Sequence, residues 1–173
     1  WDKKAIERIK KEIPKIKLIV LLRNPIDRAY SNYHLGVRSG TELLSFEDSI
    51  KKEIALLEKN NDVESDRIEK FLRFRSYIAK GLYYNQIKNW FEVFSKDQIL
   101  VLNTENLAKN PHQTLEQVFN FLSLPNEQIK NLQNRKVENY QKMSEDTRQF
   151  LRKLYKPHNE KLFKFLKKKF EWD

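Results

Sequence analysis

The run LIVLL at Leu18 to Leu22 is unbroken in its apolar character, and Pro25 follows two residues after it. That juxtaposition constrains the fold more than anything else in the chain. An apolar run without polar alternation predicts a strand buried on both faces. Pro25 cannot continue a ladder, but its fixed φ suits the first turn of a helix with Asn24 as cap. The segment therefore predicts a strand, an abrupt turn and a helix. Open α/β sheets present their ligand crevice at such strand ends.

The same reasoning extends along the chain. Residues 3–13 carry Ile6, Ile9 and Ile13 on one helical stripe, which Pro14 stops. The helix opened by Pro25 runs to about Val37. Ser45 with Asp48 predicts a capping pair for a helix whose buried side holds Ile50, Ile54 and Leu57. Residues 60–66 read as a polar loop, and Ile68 to Phe94 as mostly helical with a break at Gly81. A second continuous strand covers Ile99 to Leu102. Asn110-Pro111 repeats the cap-and-proline opening, and two helices close the chain, one to about Tyr155 and one after Pro157.

Two strands do not make a stable parallel sheet by themselves. A chain of 173 residues with 39% hydrophobic residues nevertheless has the material for one substantial core. No apolar run reaches the length of a membrane span, and the absence of cysteine excludes disulfides and thiol chemistry. The net charge of +10 fits partners that are nucleic acid, anionic lipid, polyanionic sugar or a small phosphorylated ligand. Eight of the positive charges lie between Arg152 and Lys169, where a solvated helix face accounts for them. No nucleic-acid recognition motif accompanies the charge, so nucleic acid is not an expected partner. The three histidines have no metal-site spacing, and no metal is expected.

At the first strand end, Arg23, Asp27 and Ser31 recur in steps of four, roughly one side of the helix that Pro25 opens. A guanidinium fork, a hydroxyl and the helix's free N–H groups form a credible phosphate holder. A structural alternative stands beside it, in which Arg23 pairs with Asp27 and Ser31 bonds its own helix. Arg28 has a similar alternative, an interhelical ion pair with Glu105 or another acid. Tyr84 fits a buried stripe with Ile87, Phe91 and Phe94, which leaves Tyr83 freer to face a ligand.

The string LIVLLRNPIDRAYSNY resembles the 3′-phosphate-binding segment of sulfotransferases that use 3′-phosphoadenosine 5′-phosphosulfate (PAPS), and most of all their heparan sulfate and bacterial branch. Every fixed position of the pattern R-N-P-x-D-R-A-x-S-x-Y is filled. GLYYNQIKNWFEVFSKDQILVLNTENL with NPHQTLEQVFNFLSL, and the tail containing Pro157-His158-Asn159 and Trp172-Asp173, resemble later parts of the same family. The resemblance implies an α/β fold: a partial three-layer α/β/α domain of the P-loop nucleotide-kinase-like type with a mostly parallel sheet, residues 1–173 forming the carboxyl-terminal portion of a single domain. It implies that Arg23 and Ser31 grip the 3′-phosphate. It places Tyr83 and Tyr84 near the acceptor and nucleotide clefts. Arg28, five residues from Arg23 and long enough to reach a common edge with it, is a separate candidate substrate contact. The family's late Arg-Lys-Gly loop is matched by Arg135 and Lys136, with Val137 where glycine would stand.

The implied reaction moves a sulfuryl group from PAPS, leaving the 3′,5′-bisphosphate PAP, to a hydroxyl or amine acceptor such as a glycan or small metabolite. The family's 5′-phosphosulfate loop, P-K-S/T-G-T-S/T, and its general base have no counterpart here. Residues 1–173 are therefore expected to lack catalytic residues, to be inactive alone, and to need an amino-terminal half of the same domain. The non-enzymatic alternative is an anion- or nucleotide-binding module derived from that fold. A cytoplasmic location is the expectation.

Overall fold

The computed structural model of the protein describes residues 3–59, 76–127, 129, 132 and 140–172. They fall into two compact units. The first draws on residues 1–24, 84–138 and Trp172; the second on residues 25–83, 139–171 and Asp173.

In the first unit, α1 (Lys3–Glu12) precedes β1 (Leu18–Leu22). Helix α4 (Tyr83–Val93), whose residues from Tyr84 onward lie in this unit, leads through a short 3₁₀ turn at Lys96–Gln98 to β2 (Ile99–Asn103). Helices α5 (Thr104–Lys109) and α6 (Pro111–Leu122) follow. The strands pair in parallel with Leu18 opposite Ile99 and Leu22 opposite Asn103. Their approach segments are tied by Gln98, whose Nε2 donates to the carbonyls of Pro14 and Ile16 at 2.9 Å each. Lys10 adds a cation over the Phe94 ring at 4.9 Å. Among its described residues, the buried apolar ones are Ile6, Leu22, Ile87, Phe94 and the β2 residues Ile99, Val101 and Leu102.

The second unit holds α2 (Pro25–Arg38), α3 (Phe46–Lys59), a 3₁₀ turn at Ala79–Gly81 and α7 (Glu145–Leu166). Helix α2 packs on the 3₁₀ turn and on α7. Its core is one cluster of Ile26, Ala29, Phe46, Ile50, Tyr77, Ile78, Leu151 and Tyr155. The Ser45–Asp48 cap forms as predicted: the Asp48 N–H donates to Ser45 Oγ at 3.1 Å, and Ser45 donates back to the Asp48 carboxylate at 2.7 Å.

Three expectations are corrected. The three-layer α/β/α architecture with a mostly parallel sheet does not form: the described residues are predominantly α-helical, and their sheet has two strands. Outside the two apolar runs the described sequence carries helical rather than alternating periodicity, so it has no further strand to add. β1 is not buried on both faces, since Ile19 and Leu21 are 43% and 47% exposed. A short apolar run reports hydrophobicity, but coverage of its second face depends on what packs there.

The third correction concerns Pro157, which lies inside α7 and does not end it. Leu151, Tyr155, Asn159 and Leu162 are buried on both sides of the proline. Their common stripe holds one continuous helix, which offsets the lost N–H bond. The readings of residues 60–66 as a polar loop and of residues 68–75 as helical lie outside the described residues.

Candidate functional site

Arg23 and Asn24 are the two residues between the end of β1 and the start of α2. The strand ladder stops at Leu22, opposite Asn103. Beyond it the Asn24 N–H donates to Glu105 Oε1 at 2.8 Å. Asn24 is buried and Arg23 half-buried. Glu105 also accepts from Thr104 Oγ1 at 3.2 Å, and through Oε2 from Asn103 Nδ2 at 3.1 Å and Trp172 Nε1 at 3.2 Å. The carboxylate therefore holds three stretches of chain together at the carboxyl ends of both strands.

Helix α2 sorts its residues by face. Ile26 and Ala29 are in the core, 1% and 0% exposed. Tyr30, Tyr33 and His34 stand at spacings of three and four and enter an aromatic group with Phe46, Tyr77 and Tyr140. His34 lies face to face on Tyr140, with centroids 4.2 Å apart, and edge-on to Tyr30 at 4.5 Å. Tyr30 donates to the Gln141 carbonyl at 2.8 Å. Ser31, one residue past Tyr30 and so turned away from that face, is half-buried.

Asp27 forms an ion pair with Arg148 of α7. Arg28 donates to the Tyr77 carbonyl, and its Nε is buried without a partner among the described residues. Lys80 has its pKa lowered by burial and then by the Arg28 charge. Arg28 is thus engaged with the backbone that leads into the 3₁₀ turn. Tyr83 is 8% exposed while Tyr84 is half-buried, so the relative freedom expected of the two is reversed. Arg135 and Lys136 lie outside the described residues.

His34 carries a pH prediction. Its pKa is lowered by burial, and its Nε2 is buried with no partner among the described residues. The ordinary imidazole value is about 6.5. Between the lowered native value and that value the unfolded chain binds more protons, so stability falls as pH drops through the window. The urea midpoint should therefore decline from about pH 7.5 to about pH 5.5, and His34→Gln should shrink that decline. His158, also lowered by burial, leaves a residual slope of the same sign in the variant.

Two carboxylates, the buried Glu53 and the half-buried Glu105, were not foreseen as organising residues. Glu53 is fully buried in α3, where it occupies the phase of the apolar stripe between Ile50 and Leu57. A charged residue at an apolar phase was the available signal. Glu105 lies two residues past the end of β2 in LVLNTENL, where an acidic residue near a parallel strand's carboxyl end was the corresponding signal. Among the described residues, no group of three or more His, Cys, Asp or Glu side chains is placed to hold a metal ion. No described helix is long and apolar enough to cross a membrane.

The sulfotransferase domain profile matches residues 6–171. Carbohydrate sulfotransferase 15 of Mus musculus is 29% identical over 171 residues, covering 88% of this chain and 30% of that protein. The bifunctional heparan sulfate N-deacetylase/N-sulfotransferase 1 of Caenorhabditis briggsae is 27% identical over 177 residues, with 90% and 20% covered. A crystal structure of a sulfotransferase from Alicyclobacillus acidocaldarius superimposes with a TM-score of 0.77 at 26% identity, over 97% of this chain and 61% of that one. The chain thus spans under a third of these two curated relatives. With the profile running over nearly its whole length, this chain belongs to the sulfotransferase domain family.

Proposed function

We propose that this chain supplies the 3′-phosphate-binding part of a PAPS-dependent sulfotransferase that acts on a hydroxyl or amine acceptor. The observation that carries the reading is the strand-to-helix junction of β1 and α2, where the complete R-N-P-x-D-R-A-x-S-x-Y pattern stands at Arg23 to Tyr33. The donor set fits an anion. Arg23 provides a planar guanidinium, Ser31 a hydroxyl, and the fourteen-residue α2 a first turn rich in free N–H groups. Asp27, the nearest carboxylate in sequence, is neutralised by Arg148, which lowers the local repulsion an incoming phosphate would meet.

When bound, PAPS brings the activated sulfuryl group. Arg23 and Ser31 orient the nucleotide and take no part in bond breaking. Orientation of this kind converts a bimolecular encounter into a positioned one. Arg135 and Lys136 add charged donors to the same phosphate in this proposal. Arg28, held to the Tyr77 carbonyl, and the buried Tyr83 shape the acceptor side. The acceptor is a glycan or a small metabolite.

The test is a paired titration with adenosine 3′,5′-bisphosphate and adenosine 5′-monophosphate, using the full-length protein. The wild type should prefer the 3′-phosphorylated ligand. Arg23→Ala should cut that preference about tenfold or more, and Ser31→Ala about threefold, since charge-assisted bonds exceed neutral ones. Equal affinity of the folded wild type for both ligands would overturn the assignment. A retained preference without transfer of a sulfuryl group to any acceptor would leave the anion-binding module as the better description.

A further inference from the structure

We infer that Glu105, with Trp172 behind it, is a positioning residue that sets where Arg23 points. The inference rests on the 3′-phosphate reading above. Arg23 lies past the last ladder pair, Leu22 with Asn103, so inter-strand hydrogen bonding no longer fixes its backbone. The next peptide is anchored instead by the bond from Asn24 N–H to Glu105 Oε1 at 2.8 Å. That bond determines the plane of the Arg23–Asn24 peptide and hence the direction in which the Arg23 side chain leaves.

Glu105 is itself oriented. Its Oε2 accepts from Asn103 Nδ2 at 3.1 Å and from Trp172 Nε1 at 3.2 Å, while Thr104 Oγ1 shares Oε1 at 3.2 Å. Both oxygens thus face donors, and the arrangement requires a group that only accepts. An ionised carboxylate meets that requirement. A glutamine of the same shape does not, because its NH₂ must oppose either the Asn24 N–H or the Asn103 and Trp172 donors. Asn24 and Asn103 are 4% and 2% exposed, so water is poorly placed to compensate a lost acceptor.

The chemistry of the ligand contact remains that of Arg23; Glu105 acts through it. A purely structural Glu105 would alter stability without altering discrimination between nucleotides. A positioning Glu105 selectively weakens ligands that carry the 3′-phosphate.

The experiment measures, by titration calorimetry, the affinity ratio for adenosine 3′,5′-bisphosphate over adenosine 5′-monophosphate. The full-length wild type would be compared with Arg23→Ala, Glu105→Gln, Trp172→Phe and the Arg23→Ala/Glu105→Gln double variant, with circular dichroism as the folding control. Glu105→Gln should reduce the ratio about fivefold or more, and Trp172→Phe, which keeps an aromatic ring but removes the indole N–H, about twofold. In the Arg23→Ala background, Glu105→Gln should change the ratio by less than about twofold, because the residue it orients is gone. If Glu105→Gln does not fold, Trp172→Phe carries the test with the same expected direction.

Retention of the wild-type ratio in every folded Glu105 or Trp172 variant, while Arg23→Ala loses it, overturns this inference and leaves the phosphate reading intact. Equal additive losses in the double-variant cycle overturn it too. Loss of the ratio in no variant, or its absence in the wild type, overturns the phosphate reading first and this inference with it.

Discussion

Glu53→Ala is expected to lower stability by about 4 kcal/mol, a large fraction of the total stability of a marginally stable domain. Glu53 is 0% exposed, yet it is surrounded by donors. Its Oε1 accepts from the Ser76 hydroxyl at 2.5 Å and the Ala79 N–H at 2.9 Å. Its Oε2 accepts from the N–H groups of Tyr77 at 2.6 Å and Ile78 at 2.9 Å. One side chain of α3 thereby satisfies three consecutive backbone amides at the entry to the 3₁₀ turn. A buried carboxylate is tolerated only with such compensation.

Removing it leaves three N–H groups and a hydroxyl without their acceptor. Each buried orphan costs about 1–3 kcal/mol, partly relieved by water entering the cavity. Glu53→Gln should also destabilise, since whichever oxygen becomes NH₂ meets two donors. Glu58→Ala, at an exposed position on the same helix, should change stability by less than about 0.5 kcal/mol. Urea denaturation would show a lower midpoint for the Glu53 variants with an unchanged m-value. A loss below about 1 kcal/mol for Glu53→Ala would mean that residues 76–79 find other acceptors.

Gly81→Ala should cost about 3 kcal/mol for a different reason. A Cβ at this position would sit 2.8 Å from the Tyr155 hydroxyl oxygen and 2.9 Å from both Tyr155 Cε1 and Pro25 Cβ. Neither neighbour yields easily. Tyr155 is 0% exposed and donates to the Ile78 carbonyl at 3.1 Å, and burial keeps its hydroxyl protonated. Pro25 is a buried ring at the first position of α2. The glycine is needed for close approach, and its φ is not in the left-handed region.

The clash gives the test its internal control. Tyr155→Phe removes the nearest atom but leaves the ring carbon and Pro25. Gly81→Ala should therefore cost less in the Tyr155→Phe background, with a coupling of about 1 kcal/mol in a double-mutant cycle. Thermal unfolding of the four proteins would measure it. Strict additivity would show that the backbone around Gly81 moves away instead of pressing on Tyr155.

Much of this molecule is legible in short stretches of its sequence. LIVLL and ILVL read as strands because continuous apolar, β-branched runs have few other uses, and they do pair in parallel. Asn24-Pro25 and Ser45-x-x-Asp48 read as helix starts because capping chemistry is local. The family, too, is written locally, in the residues from Arg23 to Tyr33. The architecture was less legible. The resemblance implied a large parallel sheet, whereas the described chain is mainly helical around two strands.

The two carboxylates mark the boundary between these kinds of information. Sequence alone shows Glu53 as an ill-placed charge and Glu105 as an acid after a strand. It does not pair Glu53 with amides 24–26 residues away, nor Glu105 with Asn24, 81 residues earlier, and Trp172, 67 residues later. Local propensity and periodicity act over a few residues and so determined the strands, the caps and the strand-to-helix junction at Arg23 and Asn24. Which donors a buried acceptor satisfies, whether Pro157 breaks its helix and which face of β1 is covered were decided by packing between distant segments. The cost of an unpaired polar group or an uncovered apolar face arises only once those segments meet.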